Sequence, residues 1–86
     1  MSPSPDHAAP VAPAVEVDAT GLSCPMPVIE LAKAVTGVEI GQVVRLLATD
    51  PAAKVDVPVW CRMQRHHLAG QIETDGVWRF DVRRER

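Results

Sequence analysis

Aromatic residues are scarce in this 86-residue chain, which contains one Phe, two Trp and no Tyr. Hydrophobic residues nevertheless make up 47% of the sequence, which is typical of a globular domain and not of a disordered chain. The predicted core is therefore aliphatic, built mainly from Val, Leu, Ile and Ala. A chain of this length forms one small domain, and the core that it buries is modest.

Positive charge is not in excess either, because the formal net charge is −2. A protein that binds the phosphates of nucleic acid directly usually carries a basic excess, so such binding is not expected. The sequence also lacks an apolar run near the roughly 18 residues that span a membrane. We therefore expect neither nucleic acid nor a membrane as a direct partner.

Cysteine occurs only at Cys24 and Cys61. A secreted domain of this size usually contains several disulfides, so two free thiols in a reducing cytoplasm are expected. A single disulfide between the two cysteines is the alternative, and it requires Cα atoms within about 7 Å of each other. The tight paired spacing of a structural zinc site is absent, so we expect no metal and no cofactor.

The first 14 residues, MSPSPDHAAPVAPA, are rich in Pro and Ala. They contain neither the basic region nor the apolar region of a secretory signal. Their composition predicts a disordered lead before one domain over residues 15–86.

Two strands and a connecting helix are predicted in the first half of the domain. Alternating hydrophobicity predicts a strand in VEVDAT, residues 15–20, and the apolar VVRLLA, residues 43–48, predicts a strand in the middle of a sheet. Residues 28–35 carry apolar side chains at helical spacing, and Gly37 is placed to end that helix in a left-handed conformation.

A second helix and a hairpin are predicted in the other half. The helix is predicted to start at Asp50 or at Asp56 and to continue to Gly70, and the Asp-Gly pair at 75–76 predicts a tight hairpin turn. The resulting order is βαβαββ. It predicts an α+β fold, a two-layer α/β sandwich with two helices on one face of a four-stranded mixed sheet.

The segment GLSCPMP, residues 21–27, places a cysteine at a predicted helix start. The residue before a proline is held in an extended conformation, so Cys24 is predicted to be the N-cap and Pro25 the first helical residue. Pro25 and Pro27 lack N–H groups, which leaves the Met26 N–H as the predicted donor to the sulfur, and Gly21 permits a tight turn. The helix dipole is then expected to lower the pKa of Cys24.

A lone activated thiol suits a carrier of sulfur. Cys24 has no second cysteine at C-x-x-C spacing and no histidine close to it in the sequence, so a dithiol redox centre is not predicted. An exposed thiolate can attack a sulfane sulfur and hold it as a persulfide. The alternative is a non-catalytic regulatory or interaction module, in which the Cys-Pro turn is structural and the thiol is unreactive.

The sequence resembles the TusA/SirA-like sulfur-carrier family over about residues 15–84. The stretches DATGLSCPMPVIELAKAV, LLATDPAAKVDVPVWC and HHLAGQIETDG carry the resemblance, with the Cys-Pro-x-Pro signature at Cys24 and the recurrent histidine at His66. Ser23 and Met26 depart from members that carry Arg before the cysteine and Glu between the prolines. These departures bear on the identity of the partner.

The resemblance implies a two-layer βαβαββ sandwich and a persulfide on Cys24. It implies a cysteine desulfurase or rhodanese-type sulfurtransferase as donor, and a further carrier or enzyme as acceptor. The implied outlets are tRNA thiolation, molybdenum-cofactor biosynthesis and oxidation of sulfur compounds. A monomer is expected, because a carrier must dock with several proteins.

Other residues have a structural and a functional interpretation. Cys61 is predicted to pack within the second helix and is a candidate secondary thiol. His66 and His67 are predicted to end that helix, where cations are weakly stabilising. With the two cysteines they are also candidate zinc ligands, although their spacing does not match that of a structural zinc site.

The arginines near the end of the chain form a predicted basic edge, which is either a solvated strand face or a docking site for an acidic partner. They are Arg79, Arg83, Arg84 and Arg86. Trp60 and Trp78 are predicted to anchor the core or a sheet face, and either becomes a candidate contact residue if it is exposed near Cys24.

Overall fold

The computed structural model describes residues 12–86, and the greater part of the predicted disordered lead lies outside them. The described chain forms four strands and two helices in the order βαβαββ. The elements are β1 (Val15–Ala19), α1 (Met26–Thr36), β2 (Val43–Ala48), α2 (Ala53–Gln64), β3 (His67–Thr74) and β4 (Val77–Arg83).

The four strands form one mixed sheet in the order β1-β2-β4-β3. The strand β1 runs parallel to β2, whereas β4 pairs antiparallel with both β2 and β3. A parallel pair needs a crossover connection, which α1 provides. The helix α1 contacts β1 and β2, α2 contacts β3 and β4, and the helices contact each other. The predicted two-layer sandwich and the central position of β2 are therefore confirmed.

The core lies between the helices and the sheet and is largely aliphatic, as the composition predicted. Phe80 is the largest fully buried side chain, and it lies opposite Leu46 on the neighbouring strand. The helices add buried apolar residues at helical spacing, which are Leu31 and Val35 of α1 and Ala53, Val57 and Cys61 of α2. Neither helix within residues 12–86 is long and apolar enough to cross a membrane.

The start of α1 differs from the sequence prediction. Pro25, with φ −97° and ψ 12°, is the N-cap, so Cys24 lies one residue before the cap and Pro25 is not the first helical residue. The Met26 N–H donates to the Ser23 carbonyl at 2.8 Å, and this turn shifts the helix start by one residue. The Cys24–Pro25 peptide bond is cis.

The end of α1 also differs. Gly37 has φ −92° and ψ −4°, which is right-handed backbone, so the predicted left-handed end is wrong. The Gly37 N–H donates to the Ala34 carbonyl at 3.0 Å. This bond spans three residues and tightens the last turn, which satisfies a carbonyl at the helix end without a left-handed residue.

The start of α2 uses Asp50 in another way than predicted. Asp50 Oδ1 accepts a hydrogen bond from the Ala52 N–H at 3.0 Å, which closes a turn before the helix. Ala52 is the N-cap, and no side chain caps this end. Asp56 lies in the first turn of α2, so the alternative start at Asp56 is wrong, and Pro58 lies inside the helix.

The helix α2 stops at Gln64 and does not reach Gly70. Arg65 takes a left-handed conformation with φ 59°, and the His66 N–H donates to the Cys61 carbonyl at 2.9 Å. The chain then enters β3 at His67, which pairs with Arg83 of β4, and the pairing continues to Thr74 with a register shift between Leu68 and Gly70. His66 and His67 therefore do not end the helix, and the prediction that they do is wrong.

The hairpin prediction is confirmed, although β3 begins at His67 and not near residue 71. Asp75 and Gly76 both have positive φ, at 53° and 82°. Two such residues are typical of the type I′ turn, whose twist matches that of the strands it joins. Glu73 supports the turn by accepting a hydrogen bond from the Gly76 N–H at 2.7 Å.

Candidate functional site

Cys24 lies in the loop between β1 and α1, and its residue is exposed. Because β1 and β2 are parallel, the loops that follow them lie at the same edge of the sheet. The two loops are joined directly. The Cys24 N–H donates to Asp50 Oδ2 at 2.7 Å, and the Gly21 N–H donates to Thr49 Oγ1 at 2.8 Å.

The sulfur itself contacts the second helix. The Cys24 Sγ donates a hydrogen bond to Asp56 Oδ2 at 3.0 Å. Asp56 is half-buried in the first turn of α2, so the helix holds its carboxylate beside the loop. The site is thus built from three parts of the chain: the β1–α1 loop, the β2–α2 loop and the first turn of α2.

The two carboxylates determine the electrostatics of the thiol. The hydrogen bond to Asp56 raises the pKa of Cys24 above its ordinary value, and desolvation and the negative charges of Asp56 and Asp50 act in the same direction. The prediction of a lowered pKa is therefore wrong. Cys24 lies outside the N-cap, and the Met26 N–H is bonded to Ser23 and not to the sulfur.

Asp50 is held in its charged form by the same network. Backbone hydrogen bonds from Ala52 and Cys24 lower the pKa of its carboxyl group. Asp50 therefore fixes the backbone of the cysteine loop, while Asp56 contacts the sulfur.

A shallow groove with a volume of about 250 Å³ lies beside Cys24, between α1 and α2. Five of its lining residues are apolar, and the sixth is Asp56; they are Pro25, Val28, Asp56, Val59, Trp60 and Met63. Met63 is 71% exposed at the edge of the groove. The groove thus presents an apolar surface with one carboxylate beside the thiol.

The four residues predicted to support the site have different structural roles. Gly21 has φ 81°, a conformation that favours glycine, and it turns the chain out of β1. Pro25 is the N-cap of α1 and lines the groove, whereas Pro27 lies in the first turn of α1 and is buried. Met26 is exposed and does not donate to the sulfur.

Cys61 differs from Cys24 in its burial. Both cysteines are free thiols, but Cys61 is 2% exposed within the core. Burial raises the pKa of Cys61 to about 11. The structure therefore places the candidate secondary thiol in the packed position that its spacing indicated, away from the surface that a protein partner can reach.

The histidines lie where α2 passes into β3, and the ring of His66 packs against Trp60 of the groove, with ring centroids 5.5 Å apart. His66 Nδ1 accepts a hydrogen bond from the Glu85 N–H at 3.1 Å, and burial together with Arg86 and Arg84 lowers the pKa of His66. Within residues 12–86, no three His, Cys, Asp or Glu side chains come together as a metal site.

The arginines have separate contacts. Arg83 pairs with Glu85, and Arg84 donates to the Val38 carbonyl, so they serve local structure. Of the two tryptophans, Trp60 lines the groove near Cys24, whereas Lys54 lies over the ring of Trp78. Trp60 is half-buried and packs against the core, and of the two tryptophans it is the one that lines the groove beside Cys24.

Sequence reasoning missed the roles of Asp50 and Asp56 at the site. In the sequence both residues indicate only the start of a helix, and the contact between Cys24 and Asp56 spans 32 positions. A usable signal was present. Loops that follow two parallel strands meet at one edge of a sheet, so polar residues after β2 belong beside a reactive residue after β1.

Comparisons with known proteins agree on one family. The family described as Sulfurtransferase TusA matches residues 15–84. A relative named Sulfur carrier protein TusA, from Pseudomonas entomophila, is 41% identical over 69 residues, which cover 80% of this chain and 86% of the relative. A putative sulfur carrier protein from Archaeoglobus fulgidus is 36% identical over 70 residues, which cover 81% of this chain and 96% of the relative.

A solved structure supports the same fold. The crystal structure of a SirA-like protein from Desulfitobacterium hafniense aligns with a TM-score of 0.74 and 26% sequence identity. The alignment covers 84% of this chain and 99% of that chain.

Proposed function

Because this chain belongs to the TusA family, we propose that it is a sulfur carrier, which accepts sulfane sulfur as a persulfide on Cys24 and passes it to an acceptor. The observation that carries the proposal is the position of Cys24. Its thiol is exposed in the Cys-Pro-x-Pro loop and lies beside an open apolar groove, where a sulfur atom on another protein can reach it.

The loading step is an exchange between two sulfur atoms. The Cys24 sulfur attacks the terminal sulfur of a donor persulfide, R–S–SH, and forms a new S–S bond. The S–S bond of the donor breaks, and its thiolate leaves with the electron pair and takes up the proton that Cys24 gives up. Delivery repeats the exchange with an acceptor thiol, so no external oxidant or reductant is needed.

The donor in this proposal is a cysteine desulfurase or a rhodanese-type sulfurtransferase, and the acceptor is a further carrier or enzyme. The outlets are tRNA thiolation, molybdenum-cofactor biosynthesis or oxidation of sulfur compounds. The carrier acts in the cytoplasm as a monomeric domain over residues 15–86, without direct binding to nucleic acid. The neutral Ser23 and Met26 beside the thiol bear on which donor and acceptor it serves.

Loading tests the proposal directly. The protein is incubated with a cysteine desulfurase and cysteine, or with a rhodanese and thiosulfate, and its intact mass is measured. One added sulfur atom is expected in the wild type and in Cys61→Ala, and none in Cys24→Ser. Absence of sulfur on Cys24 with both donors would overturn the proposal.

One observation favours a second candidate, a regulatory or interaction module in which the Cys-Pro turn is structural. Such a module is expected to have a thiol of high pKa, and carboxylates do raise the pKa of Cys24. The loading experiment separates the two functions, because a structural turn leaves Cys24 unloaded while the fold stays intact.

A further inference from the structure

We propose that Asp56 couples the docking of a sulfur-bearing protein to the release of the Cys24 thiol. In the free protein, Asp56 accepts the hydrogen bond from the thiol. In the complex, Asp56 pairs with a cationic side chain of the docked protein, whose apolar side chain fills the groove beside it. The proposal rests on the proposed function and adds the chemistry by which the partner is recognised.

The composition of the groove supports a partner segment that is apolar and basic. Its lining combines apolar side chains from both helices with the carboxylate of Asp56, and no Lys or Arg is among its lining residues. A cation of the docked segment finds an opposite charge there, and a second anion is repelled. The exposed side chains of Met63 and Val59 extend the apolar surface at its edge.

The contact between Asp56 and Cys24 links docking to reactivity. Asp56 Oδ2 lies 3.0 Å from the sulfur, so a guanidinium or ammonium group that binds this carboxylate competes with the thiol for the same oxygen. Such a cation also offsets the negative charge that disfavours a thiolate beside Asp56. Asp50 remains in place, because backbone N–H groups of Cys24 and Ala52 hold it.

The same charges disfavour a free anionic donor. Asp50 and Asp56 both act on Cys24, so a small anion such as thiosulfate approaches against two negative charges. A persulfide within a basic and apolar protein segment approaches with its own cation. In the exchange, the new bond joins Cys24 Sγ to the terminal sulfur, and the departing thiolate takes up the proton released by Cys24.

Matched persulfide peptides test the charge preference. Two blocked peptides, Leu-Cys-Arg and Leu-Cys-Glu, each with a persulfide on Cys, are mixed with the full chain at low salt. Sulfur on Cys24 is measured by mass spectrometry. The wild type is expected to load from the Arg peptide roughly fivefold faster than from the Glu peptide, from one charge contact at the surface.

The ratio of the two rates cancels any change in the intrinsic reactivity of the thiol. In Asp56→Asn the ratio is expected to fall close to one. Glu39→Gln is the control, because it removes an equal charge from an exposed residue that precedes β2, whereas the cysteine site follows β2. In this variant the ratio is expected to stay at the wild-type value. An unchanged ratio in Asp56→Asn, or a ratio of one in the wild type, would overturn the proposal.

Two variants of exposed apolar residues on α2 test whether the groove binds the apolar side chain of the partner. Replacing the Leu of the Arg peptide by Ser is expected to slow loading of the wild type about threefold, as the loss of a small apolar contact does. Met63→Gln is expected to remove this difference, whereas Val55→Thr keeps it, because Val55 is exposed but does not line the groove. Persistence of the difference in Met63→Gln counts against the groove as the docking site.

The remaining outcomes separate this proposal from the proposed function. If a cysteine desulfurase loads Cys24 but neither peptide does, the sulfur-carrier function stands and the coupling through Asp56 is overturned. Sedimentation of the wild type and Met63→Gln tests whether a second copy of this chain occupies the groove. A wild-type dimer that Met63→Gln dissociates would assign the groove to self-association and overturn the proposal.

Discussion

The sulfur of Cys24 lies 3.0 Å from Oδ2 of Asp56, across 32 positions of sequence. A thiol can donate to a carboxylate, whereas a thiolate beside the same carboxylate is repelled. The contact therefore stabilises the protonated form, which is why the pKa of Cys24 is raised. The free protein therefore favours the protonated thiol, and in the proposed coupling a docked partner releases it.

The pH dependence of alkylation follows from this contact. In the wild type, the rate of reaction of Cys24 with iodoacetamide is expected to rise with a midpoint above the ordinary cysteine pKa, because Asp56 favours the protonated thiol. In Asp56→Asn the midpoint is expected to move down, and the rate at neutral pH to rise roughly threefold to tenfold. The measurement is made in Cys61→Ala, so that Cys24 is the one alkylated residue. A midpoint unaffected by Asp56→Asn would contradict the role of this carboxylate.

Asp50 is expected to hold the backbone of the cysteine loop. Its two oxygens accept the N–H groups of Cys24 and Ala52, at 2.7 and 3.0 Å. Asp50→Ala removes both acceptors, so hydrogen exchange of these two amides is expected to become faster. Exchange of the Phe80 amide in the core of the sheet provides the internal control. Equal acceleration at all three amides would indicate general destabilisation and not a local role.

The element order was predictable because hydrophobic periodicity and the hairpin turn are local signals. The apolar run at residues 43–48 and the positive φ values of Asp75 and Gly76 agree with what those residue types favour. The position of Cys24 between the first strand and the first helix follows from the same patterns. These parts of the fold depend on neighbours in sequence.

The helix ends and the chemistry of the thiol were not predictable in this way. Arg65 ends α2 in a left-handed conformation that favours glycine, because pairing of β3 with β4 outweighs the preference of one residue. The rise in the pKa of Cys24 depends on Asp56, which only the folded chain brings to the sulfur. Local dipole reasoning therefore predicted the wrong direction.

Gly21 is expected to be needed for the shape of the cysteine loop. It has φ 81°, and a Cβ there would meet nothing within 4 Å, so the cost of Gly21→Ala comes from the backbone alone. That cost is about 1–2 kcal/mol of unfolding free energy. Gly41 has φ 95° and equally open surroundings, so Gly41→Ala is expected to cost a similar amount.

The pair of variants separates stability from the site. Gly21→Ala is expected to alter the alkylation rate of Cys24, because Gly21 joins the cysteine loop to Thr49, whereas Gly41→Ala leaves the rate unchanged. Denaturant unfolding and alkylation are measured on both. Equal alkylation rates in the two variants would show that the loop tolerates a side chain at residue 21.

Cys61 is expected to make the stability of the fold depend on alkaline pH. Its pKa is raised by burial from 9.0 to about 11, so the folded state keeps the proton that the unfolded state loses. The stabilising contribution is complete below pH 9 and is lost as the pH rises towards 11, by at most about 1.4 kcal/mol of unfolding free energy per pH unit. Denaturant unfolding of Cys24→Ser is compared with that of the double variant Cys24→Ser/Cys61→Ala, so that ionisation of Cys24 does not contribute. A steeper fall in the single variant is expected, and parallel curves would show that the Cys61 thiol ionises equally in both states.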